Sequence, residues 1–375
     1  MLMNNKNNNN INNNNHIDNI KSQLISPFFL EVKSLYKSYF QYALKRKWLE
    51  IPEELPYREI GYGYLKKVDD RNIVFEKKEE YLKWVLEKAP FHLYKSLTYT
   101  EYPEKKGGAS QKKLIKREIA FDIDVHKMEN CTHKDEGWIC DVCLNESKNQ
   151  CYILIDEFLI PDFGLSPNDL KIVFSGNRGY HIYIKPQDED IKKSIEKWDR
   201  YKRRYFIEYI LGKNLNLNYV GISWRKRFIN QFKKHKIGIK QFENNPNWAK
   251  LIENRRNKDK ILNIINNTKN RLELDEKVME DDIRLLRTIG SLHGYTGLIV
   301  KEIKYHSLEV FNPLEHSVFS KFYKTDKYYS VNIEKEIDDI IIKGEVFNHN
   351  SKEIPPIYLL FLFGHKIPVK IKGIN

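Results

Sequence analysis

The sequence predicts a mixed α/β fold, of the α+β kind, with a metal-binding knuckle and a helical insertion subdomain. Three observations predict it. Short strand-like runs lie near residues 118–125 and 171–184, a cysteine and histidine cluster falls between them, and a charged stretch of helical periodicity runs from about 188 to 272. With 375 residues, 41% of them hydrophobic, the chain can bury a large core.

The N-terminal residues 1–24 are dominated by asparagine and have no apolar period, so we expect a disordered tail ahead of one domain spanning 25–375. Helical spacing of apolar residues follows from Pro27 to Leu49, and β-like runs follow from Glu59 to Phe75. The lysine-rich stretch from Glu104 to Lys116 contains two adjacent glycines and indicates a mobile loop.

The charge balance favours a polyanionic partner. Lysine and arginine number 64 against 51 aspartates and glutamates, which suits nucleic acid or a nucleotide, although a generally basic proteome would give the same excess. The longest apolar run, Ile357 to Phe363, is far shorter than the roughly 20 residues of a membrane helix, so we expect no membrane association. The expected location is cytoplasmic and nucleoid-associated, or nuclear in a eukaryotic host.

The strand around Phe121-Asp122-Ile123-Asp124-Val125 alternates apolar and acidic residues. Both aspartates therefore point to one face, about 6–7 Å apart, where they repel each other unless a cation lies between them. Oxygen ligands of this kind suit Mg²⁺ or Mn²⁺, and a metal pair can assist phosphoryl transfer. The alternative is an ordinary half-exposed strand with a polar outer face.

A soft-ligand cluster begins seven residues later, and its members are Cys131, His133, Cys140 and Cys143. These are the four ligands of a closed tetrahedral structural zinc site, and the knuckle they define covers about 126–145. Because no open position is evident, we expect the zinc to hold a loop and not to catalyse. The remaining cysteine, Cys151, is expected to be a small buried hydrophobe.

Two glycine-containing turns supply groups for phosphate oxygens. The first, SGNRGYH, offers Ser175, Arg178 and His181 between two short strands, with no Walker-type ending. The second runs from Asp275 through RLLR to SLHGYTG and offers Arg287 and His293. Taken alone, each stretch could instead be a plain glycine turn or a basic helix followed by a loop.

The sequence resembles the small catalytic subunit of archaeal and eukaryotic DNA primases over about residues 50–370. The resemblance rests on four features in this order: the FDID strand, the Cys/His cluster, the SGNRGYH turn, and the LD, RLLR and SLHGYTG stretches. The resemblance implies a primase-type catalytic core with nucleotidyltransferase activity (EC 2.7.7 class). It further implies synthesis of short RNA or DNA primers on single-stranded DNA from NTPs or dNTPs, and a primase large subunit as the partner in a heterodimer.

The resemblance also implies residue roles. Asp122 and Asp124 would bind the catalytic Mg²⁺ or Mn²⁺ with Asp275 as a third carboxylate, and a nearby acidic run, Glu280 to Asp282, offers alternatives for that third position. The nucleotide would be contacted by a set of polar side chains: Ser175, Arg178, His181, Arg287 and His293.

Departures from the family pattern occur at Asn177 and Tyr295, where the family often has a basic residue and a lysine or glycine. An arginine-glutamate pair typical of the family is matched by Arg58-Glu59, with Arg71 following. Two rivals stay open at this point. One is a related repair or mobile-element primase-polymerase, and the other is a catalytically silent zinc protein that binds nucleic acid.

Overall fold

The computed structural model describes residues 26–126, 128, 130–131, 133–135 and 137–375, so the predicted tail over 1–24 lies outside the described residues. The helices are α1 Pro27–Lys45, α2 Lys78–Lys88, α3 Ala109–Lys112, α4 Asp141–Leu154, α5 Ile160–Phe163, α6 Glu189–Glu196, α7 Arg200–Ile210, α8 Ile222–Lys234, α9 Lys240–Asn244, α10 Trp248–Glu253, α11 Lys258–Lys269, α12 Glu276–Glu280, α13 Pro313–His316, α14 Ser320–Tyr323 and α15 Pro356–Gly364. A π-helical turn, Ile155–Leu159, joins α4 to α5.

The strands are β1 Ile60–Gly63, β2 Asp70–Ile73, β3 His92–Ser96, β4 Thr98–Thr100, β5 Leu114–Arg117, β6 Ile119–Asp124, β7 Leu170–Phe174, β8 Gly179–Ile184, β9 Leu285–Arg287, β10 Lys301–Ile303, β11 Tyr329–Ile333, β12 Ile340–Ile342, β13 Glu345–Phe347, β14 Glu353–Ile354 and β15 Val369–Ile374. Short 3₁₀ turns occur at Leu55–Tyr57, Pro167–Asp169 and Tyr305–Ser307. The predicted α+β class is confirmed.

Two four-stranded sheets dominate the described part of the chain. One has the order β2-β1-β3-β9 and the other β10-β7-β8-β6. A small buried cluster draws side chains from both sheets, including Leu286 of β9, Ala120 of β6 and Val173 of β7, so the sheets pack against each other there. A larger apolar core lies around them and includes the buried face of α1.

The central pairing joins β6 to β8 in antiparallel register, with Asp122 opposite His181 and Asp124 opposite Gly179. Gly179 has no room for a side chain, because a Cβ built there would lie 1.9 Å from the Ile123 carbonyl oxygen. This close approach brings the turn before β8 against the end of the acidic strand. Both strands match the predicted runs.

The helical insertion predicted from about 188 to 272 corresponds to α6 through α11. Its interior is aromatic: Trp224 and Phe228 of α8 pack on each other at 5.3 Å, and Trp248 of α10 contacts Phe228, Phe232 and Phe242. The insertion leaves the central sheet after β8 and returns beside β6, so both of its ends are attached to the same pair of strands.

The predicted mobile loop over 104–116 is wrong in part. Residues 109–112 form α3, and β5 begins at Leu114 and pairs with β4. The physical reason is that the Lys112 side chain is buried, with its ammonium 2.8 Å from a Glu59 carboxylate oxygen and 2.6 Å from the Pro103 carbonyl oxygen. A lysine-rich stretch therefore folds by burying one lysine in an ion pair.

The apolar run near the C-terminus forms α15, whose side chains from Pro356 to Leu362 are buried. This helix packs on α1, and both begin with a proline that suits the first helical turn. Across the described residues, we find no helix with the length and apolar character needed to cross a membrane.

The close approach at Gly179 gives a stability prediction. Gly179→Ala should lower the free energy of unfolding by about 2–3 kcal/mol, because the new methyl group must displace the β6 backbone. Urea unfolding measures the change. Gly238→Ala is the matched control, since a Cβ there meets nothing within 4 Å. Equal stability of the two variants would show that β6 and β8 do not pair this closely.

Candidate active site and metal centre

Three carboxylates converge at the end of β6. Asp122 and Asp124 lie on the same face of the strand, as the alternation predicted. Asp275 reaches them through backbone pairing: its N–H donates to the Asp122 carbonyl oxygen at 3.0 Å, and Leu274 forms an antiparallel bridge with Ile123. The chain therefore returns from the insertion directly beside the acidic strand and places the third carboxylate there.

The alternative third carboxylates lie elsewhere. Glu280 is paired with Arg200 and Arg204 of α7, at 3.3 and 3.1 Å. Asp282 is paired with the buried Arg203. Asp281 accepts a hydrogen bond from the Ile283 N–H at 3.0 Å. Asp275, by contrast, is hydrogen-bonded to β6 through its backbone N–H.

An open cleft of about 820 Å³ surrounds the carboxylates and is lined by Asp122, Asp124, Asp275, Arg284, Lys67 and Lys213, among others. Crowding raises the pKa of Asp122 to about 7: burial disfavours its charged form, and the charges of Asp124 and Asp275 add to the effect. Arg284 pairs with Asp275 and partly offsets the negative charge.

The donor set fits divalent hard cations. Three carboxylates on a rigid strand and an adjacent backbone bridge offer oxygen ligands in an open cleft, which is how Mg²⁺ and Mn²⁺ are commonly held next to substrate phosphates. A dication between the carboxylates would also offset the repulsion that adds to the effect of burial on the pKa of Asp122. The residues present therefore suit the predicted metals.

The first glycine turn, residues 175–181, ends against the same strands. His181 lies on β8 opposite Asp122, with its Nε2 3.4 Å from a carboxylate oxygen of Asp122. Burial and the nearby arginines lower the pKa of His181 to about 3. The imidazole is therefore neutral at physiological pH, and its contact with Asp122 is not an ion pair. Ser175 is buried, and its N–H donates to the Gly179 carbonyl oxygen at 2.9 Å.

The second glycine turn, residues 291–297, packs on the first. Gly176 has φ of +86°, and a Cβ there would lie 2.6 Å from the Cβ of His293. The Thr296 hydroxyl also donates to the Gly176 carbonyl oxygen. The two polar turns predicted separately from sequence thus form one continuous wall beside β6 and β8.

Arg287 lies on the strand β9, so the alternative interpretation of this stretch as a basic helix is wrong. Its guanidinium is 3.0 Å from Nδ1 of His92 and 4.9 Å from the ring centre of Tyr94. The ring of His92 lies 5.8 Å from that of His293. Burial, together with Arg287, holds the pKa of both histidines well below the usual range. One arginine therefore supplies the charge, and two neutral imidazoles flank it.

Sequence reasoning missed the roles of His92, Arg284 and Lys67. His92 sits in the apolar run of β3 and reads as a core residue, and Lys67 belongs to an ordinary lysine-rich turn. Arg284 was visible in the RLLR stretch but received no role. The neighbouring sequence does not indicate that any of the three lies at the site, because each reaches it through strand pairing or a turn.

The arginine-glutamate pair near β1 is a brace outside the cleft. Arg58 is fully buried, pairs with Glu118 just before β6 at 2.7 Å, and lies 4.2 Å from the ring centre of Tyr99. Glu59 binds Arg71 and Lys112. This buried pairing anchors the start of the acidic strand.

The cysteine and histidine cluster can hold zinc. The ligand atoms of its four members, Cys131, His133, Cys140 and Cys143, all lie within 4.8 Å of one another. The Cys131 sulfur is 3.4 Å from that of Cys140 and 3.0 Å from that of Cys143. A tetrahedral zinc with bonds of about 2.3 Å separates its sulfurs by about 3.8 Å, so small adjustments would complete the site. His133 Nδ1 lies 2.9 Å from the Asp135 carbonyl oxygen, which leaves Nε2 for the metal.

The cluster is coupled to the carboxylates through α4. Cys140 and Cys143 lie at the start of this helix, and Gln150 lies in its last turns. The Gln150 side-chain oxygen accepts from the Glu273 N–H at 2.7 Å, two residues before Asp275. On its other side the knuckle packs Trp138 on Phe361 of α15, with ring centres 4.8 Å apart. A metal at the cluster would therefore fix the helix that holds the strand leading to Asp275.

Comparison with known proteins agrees with this geometry. The family model described as "DNA primase small subunit" matches residues 121–305, from β6 past the second glycine turn. The chain is 63% identical over 348 residues to the DNA primase small subunit PriS of Methanococcus maripaludis strain C5, covering 92% of this chain and 97% of that protein. It is 56% identical to PriS of Methanocaldococcus jannaschii, covering 92% of this chain and 98% of that protein. It is 31% identical to PriS of Picrophilus torridus, covering 88% of this chain and 96% of that protein.

The raised pKa of Asp122 gives a pH prediction. Between about pH 4 and 7 the folded chain keeps a proton that the unfolded chain has lost, so stability falls as pH rises through this window. Asp122→Asn removes the ionisation. The quantity to measure, by urea unfolding without added divalent metal, is the free energy of unfolding of Asp122→Asn minus that of the parent chain. This difference should be about 2 kcal/mol larger at pH 8 than at pH 5. Exposed Asp326→Asn is the control, and an advantage independent of pH would refute the assignment.

The metal cluster gives a second prediction. Cys140→Ser should lower the zinc content of the purified chain and its thermal midpoint, because a hydroxyl is a poor replacement for a thiolate ligand. Metal analysis and thermal unfolding measure the two effects. Cys151→Ala is the control: this cysteine is buried but outside the cluster, so zinc content should not change. Unaltered zinc stoichiometry in Cys140→Ser would exclude the cluster as the binding site.

Proposed function

The chain belongs to the DNA primase small subunit family, and from that premise we propose that it is the catalytic subunit of a DNA primase. The proposed reaction is template-directed nucleotidyl transfer that makes short primers on single-stranded DNA. The observation that supports it most is the convergence of Asp122, Asp124 and Asp275 in one open cleft, which exceeds what a strand with a polar outer face needs. The proposed class is a DNA-directed nucleotidyltransferase.

In the proposed reaction the 3′ hydroxyl of a bound nucleotide attacks the α-phosphate of the next, and pyrophosphate leaves. Mg²⁺ or Mn²⁺ held by the three carboxylates would activate that hydroxyl and stabilise the leaving oxygens. The three carboxylates would fix the position of the metals, because the backbone holds each carboxylate in place. Asp122 and Asp124 are on β6, and Asp275 is held by the hydrogen bond from its N–H to β6. A rigid ligand frame of this kind favours catalysis by positioning.

The wall formed by the two glycine turns is the proposed triphosphate site. Arg178 and Arg287 would supply positive charge, while Ser175, His181 and His293 would donate hydrogen bonds. The lowered pKa values of His181 and His293 support a role as neutral hydrogen-bond donors. A neutral imidazole adds no positive charge that would repel the metals. The neighbouring His92 would hold Arg287 in place.

Two further parts of the proposal concern structure and partner. Zinc at the cysteine and histidine cluster would be structural and remote from the reacting groups. The relatives are named small subunits, so we expect a primase large subunit to pair with this chain. Because the template is chromosomal DNA, the cytoplasm and its nucleoid are the expected location.

The proposal is tested by incorporation of labelled NTPs and dNTPs on single-stranded DNA, with Mg²⁺ or Mn²⁺, in the presence and absence of a large subunit. Asp122→Asn combined with Asp124→Asn should reduce product at least a thousandfold, because two of three metal ligands lose their charge. Zinc content should be retained, and the thermal midpoint should not fall, because the substitutions remove repulsion between carboxylates.

The matched control is Asp326→Asn, which removes an exposed carboxylate elsewhere and should leave synthesis unchanged. Synthesis that persists in the double variant would refute the metal assignment. Strand binding without product under every condition, in a chain with normal zinc content, would instead support the catalytically silent binding protein.

A further inference from the structure

The positive charge of the chain is concentrated in the helical insertion. From the start of α6 to the end of α11, residues 189–269 contain 21 lysines and arginines and 8 aspartates and glutamates, an excess of 13. The whole chain has 64 and 51, which is also an excess of 13. The remainder of the protein is therefore balanced, and the field that attracts a polyanion comes from the insertion.

Two adjoining grooves run along the insertion, and we call them together the α8–α11 track. The first has a volume of about 510 Å³ and includes Lys226, Lys233 and Lys234 of α8. The second has a volume of about 250 Å³ and includes Lys260 and Asn267 of α11. Gln231 lines both grooves, so they join in the last turn of α8.

The track leads to the catalytic cleft. Asn267, Thr268 and Arg271 line the second groove, while the interleaved Lys269 and Asn270 line the cleft. The second groove and the cleft therefore lie next to each other at the C-terminal end of α11, on neighbouring residues of the chain. From Lys260 to Lys269 this helix extends about 14 Å, which places a lysine at each end of its surface.

The lysines of the track are available for an external anion. None of the ion pairs between described residues involves Lys226, Lys233, Lys234, Lys260 or Lys269. The carboxylates in the first groove are already satisfied: Asp162 pairs with Arg227 at 2.6 Å, Glu157 pairs with Arg271, and Asp156 accepts from the Tyr305 hydroxyl at 2.7 Å. Two of the three carboxylates are therefore neutralised by arginines and the third is hydrogen-bonded, whereas these lysines have no acidic partner among the described residues.

We propose that the α8–α11 track binds the phosphate backbone of a single DNA strand whose path continues into the catalytic cleft. Naming that strand as the template rests on the proposed function. Most residues that line the two grooves are lysine, arginine, asparagine or glutamine, with three carboxylates in the first groove and one histidine, His235, in the second. No phenylalanine, tyrosine or tryptophan is among the described lining residues, so contacts go mainly to phosphates and not to stacked bases. Binding is therefore independent of sequence and strongly dependent on salt.

Continuity with the cleft favours nucleic acid over an acidic protein as the occupant. A protein partner needs an apolar centre to its interface, and these grooves offer exposed polar side chains in a line. A line of unpaired lysines instead suits the regular charges of a strand, each of which releases counterions on contact.

The test uses the full chain and fluorescein-labelled thymidine oligonucleotides of 6 and 20 residues, with affinity measured by anisotropy over a series of salt concentrations. In the track variant, four lysines become glutamine: K226Q, K233Q, K234Q and K260Q. Affinity for the 20-mer should fall at least tenfold at low salt. The slope of log K against log salt should become shallower by about 3, because each lost single-strand phosphate contact removes about 0.7.

The matched control replaces four exposed lysines away from the insertion: K37Q, K352Q, K370Q and K372Q. It removes the same charge and should keep affinity within twofold of the parent chain. The parent chain should bind the 20-mer more tightly than the 6-mer, and the track variant should lose most of this difference in affinity. The same loss should be measured with deoxyadenosine oligonucleotides. Normal zinc content and thermal midpoint show that both variants are folded.

The outcomes separate this proposal from the proposed function. An unchanged slope in the track variant, or a loss confined to duplex DNA, overturns the track even when primer synthesis is normal. A track variant with weakened strand binding, in a parent chain that makes no product, supports the track and removes only the proposed activity. Where synthesis is present, the template KM should rise at least tenfold and kcat at saturating template should be retained.

Discussion

The crowding of three carboxylates at one strand end is the constraint around which this structure is built. Asp122, Asp124 and Asp275 cannot move apart, because two are on adjacent outward positions of β6 and the third is held by a backbone hydrogen bond to Asp122. Burial, reinforced by the repulsion from the other two carboxylates, raises the pKa of Asp122 to about 7. A fold keeps such an arrangement only if other interactions hold β6 in place or a cation offsets the charge.

Much of the surrounding structure serves that purpose. Before β6, Glu118 is buried with Arg58 and Lys185, and the favourable charges hold the pKa of this carboxyl well below its usual range. Along β6, a full antiparallel register with β8 leaves no room for a side chain at Gly179. After β6, the cysteine and histidine cluster lies at the start of helix α4, which is hydrogen-bonded to the segment leading to Asp275. The acidic segment is thus fixed at its start, its middle and its end.

The sequence predicted the local features of this site well. Period-two alternation indicated that Asp122 and Asp124 share a face, and ligand spacing indicated the zinc cluster, because both signals lie within about 15 residues. Pairing between distant segments could not be predicted in the same way. Asp275 is about 150 residues from Asp122, and His92 reaches Arg287 only because β3 pairs with β9. The loop over 104–116 was misjudged because burial of Lys112 depends on Glu59, far away in the chain.

The position of the helical insertion explains how a basic subdomain can serve an acidic site. The chain enters the insertion from β8, opposite Asp122, and leaves it at Leu274, which bridges Ile123. Its α7 is fastened to α12 by the pairs of Arg200 and Arg204 with Glu280. Because both ends of the insertion are attached to β6 and β8, and α7 is attached to α12, a movement of the insertion would be transmitted to the carboxylates. In the path that we propose, the lysines of the α8–α11 track would hold a polyanion at a fixed distance from the acidic cleft, while their positive charge stays outside the proposed metal site.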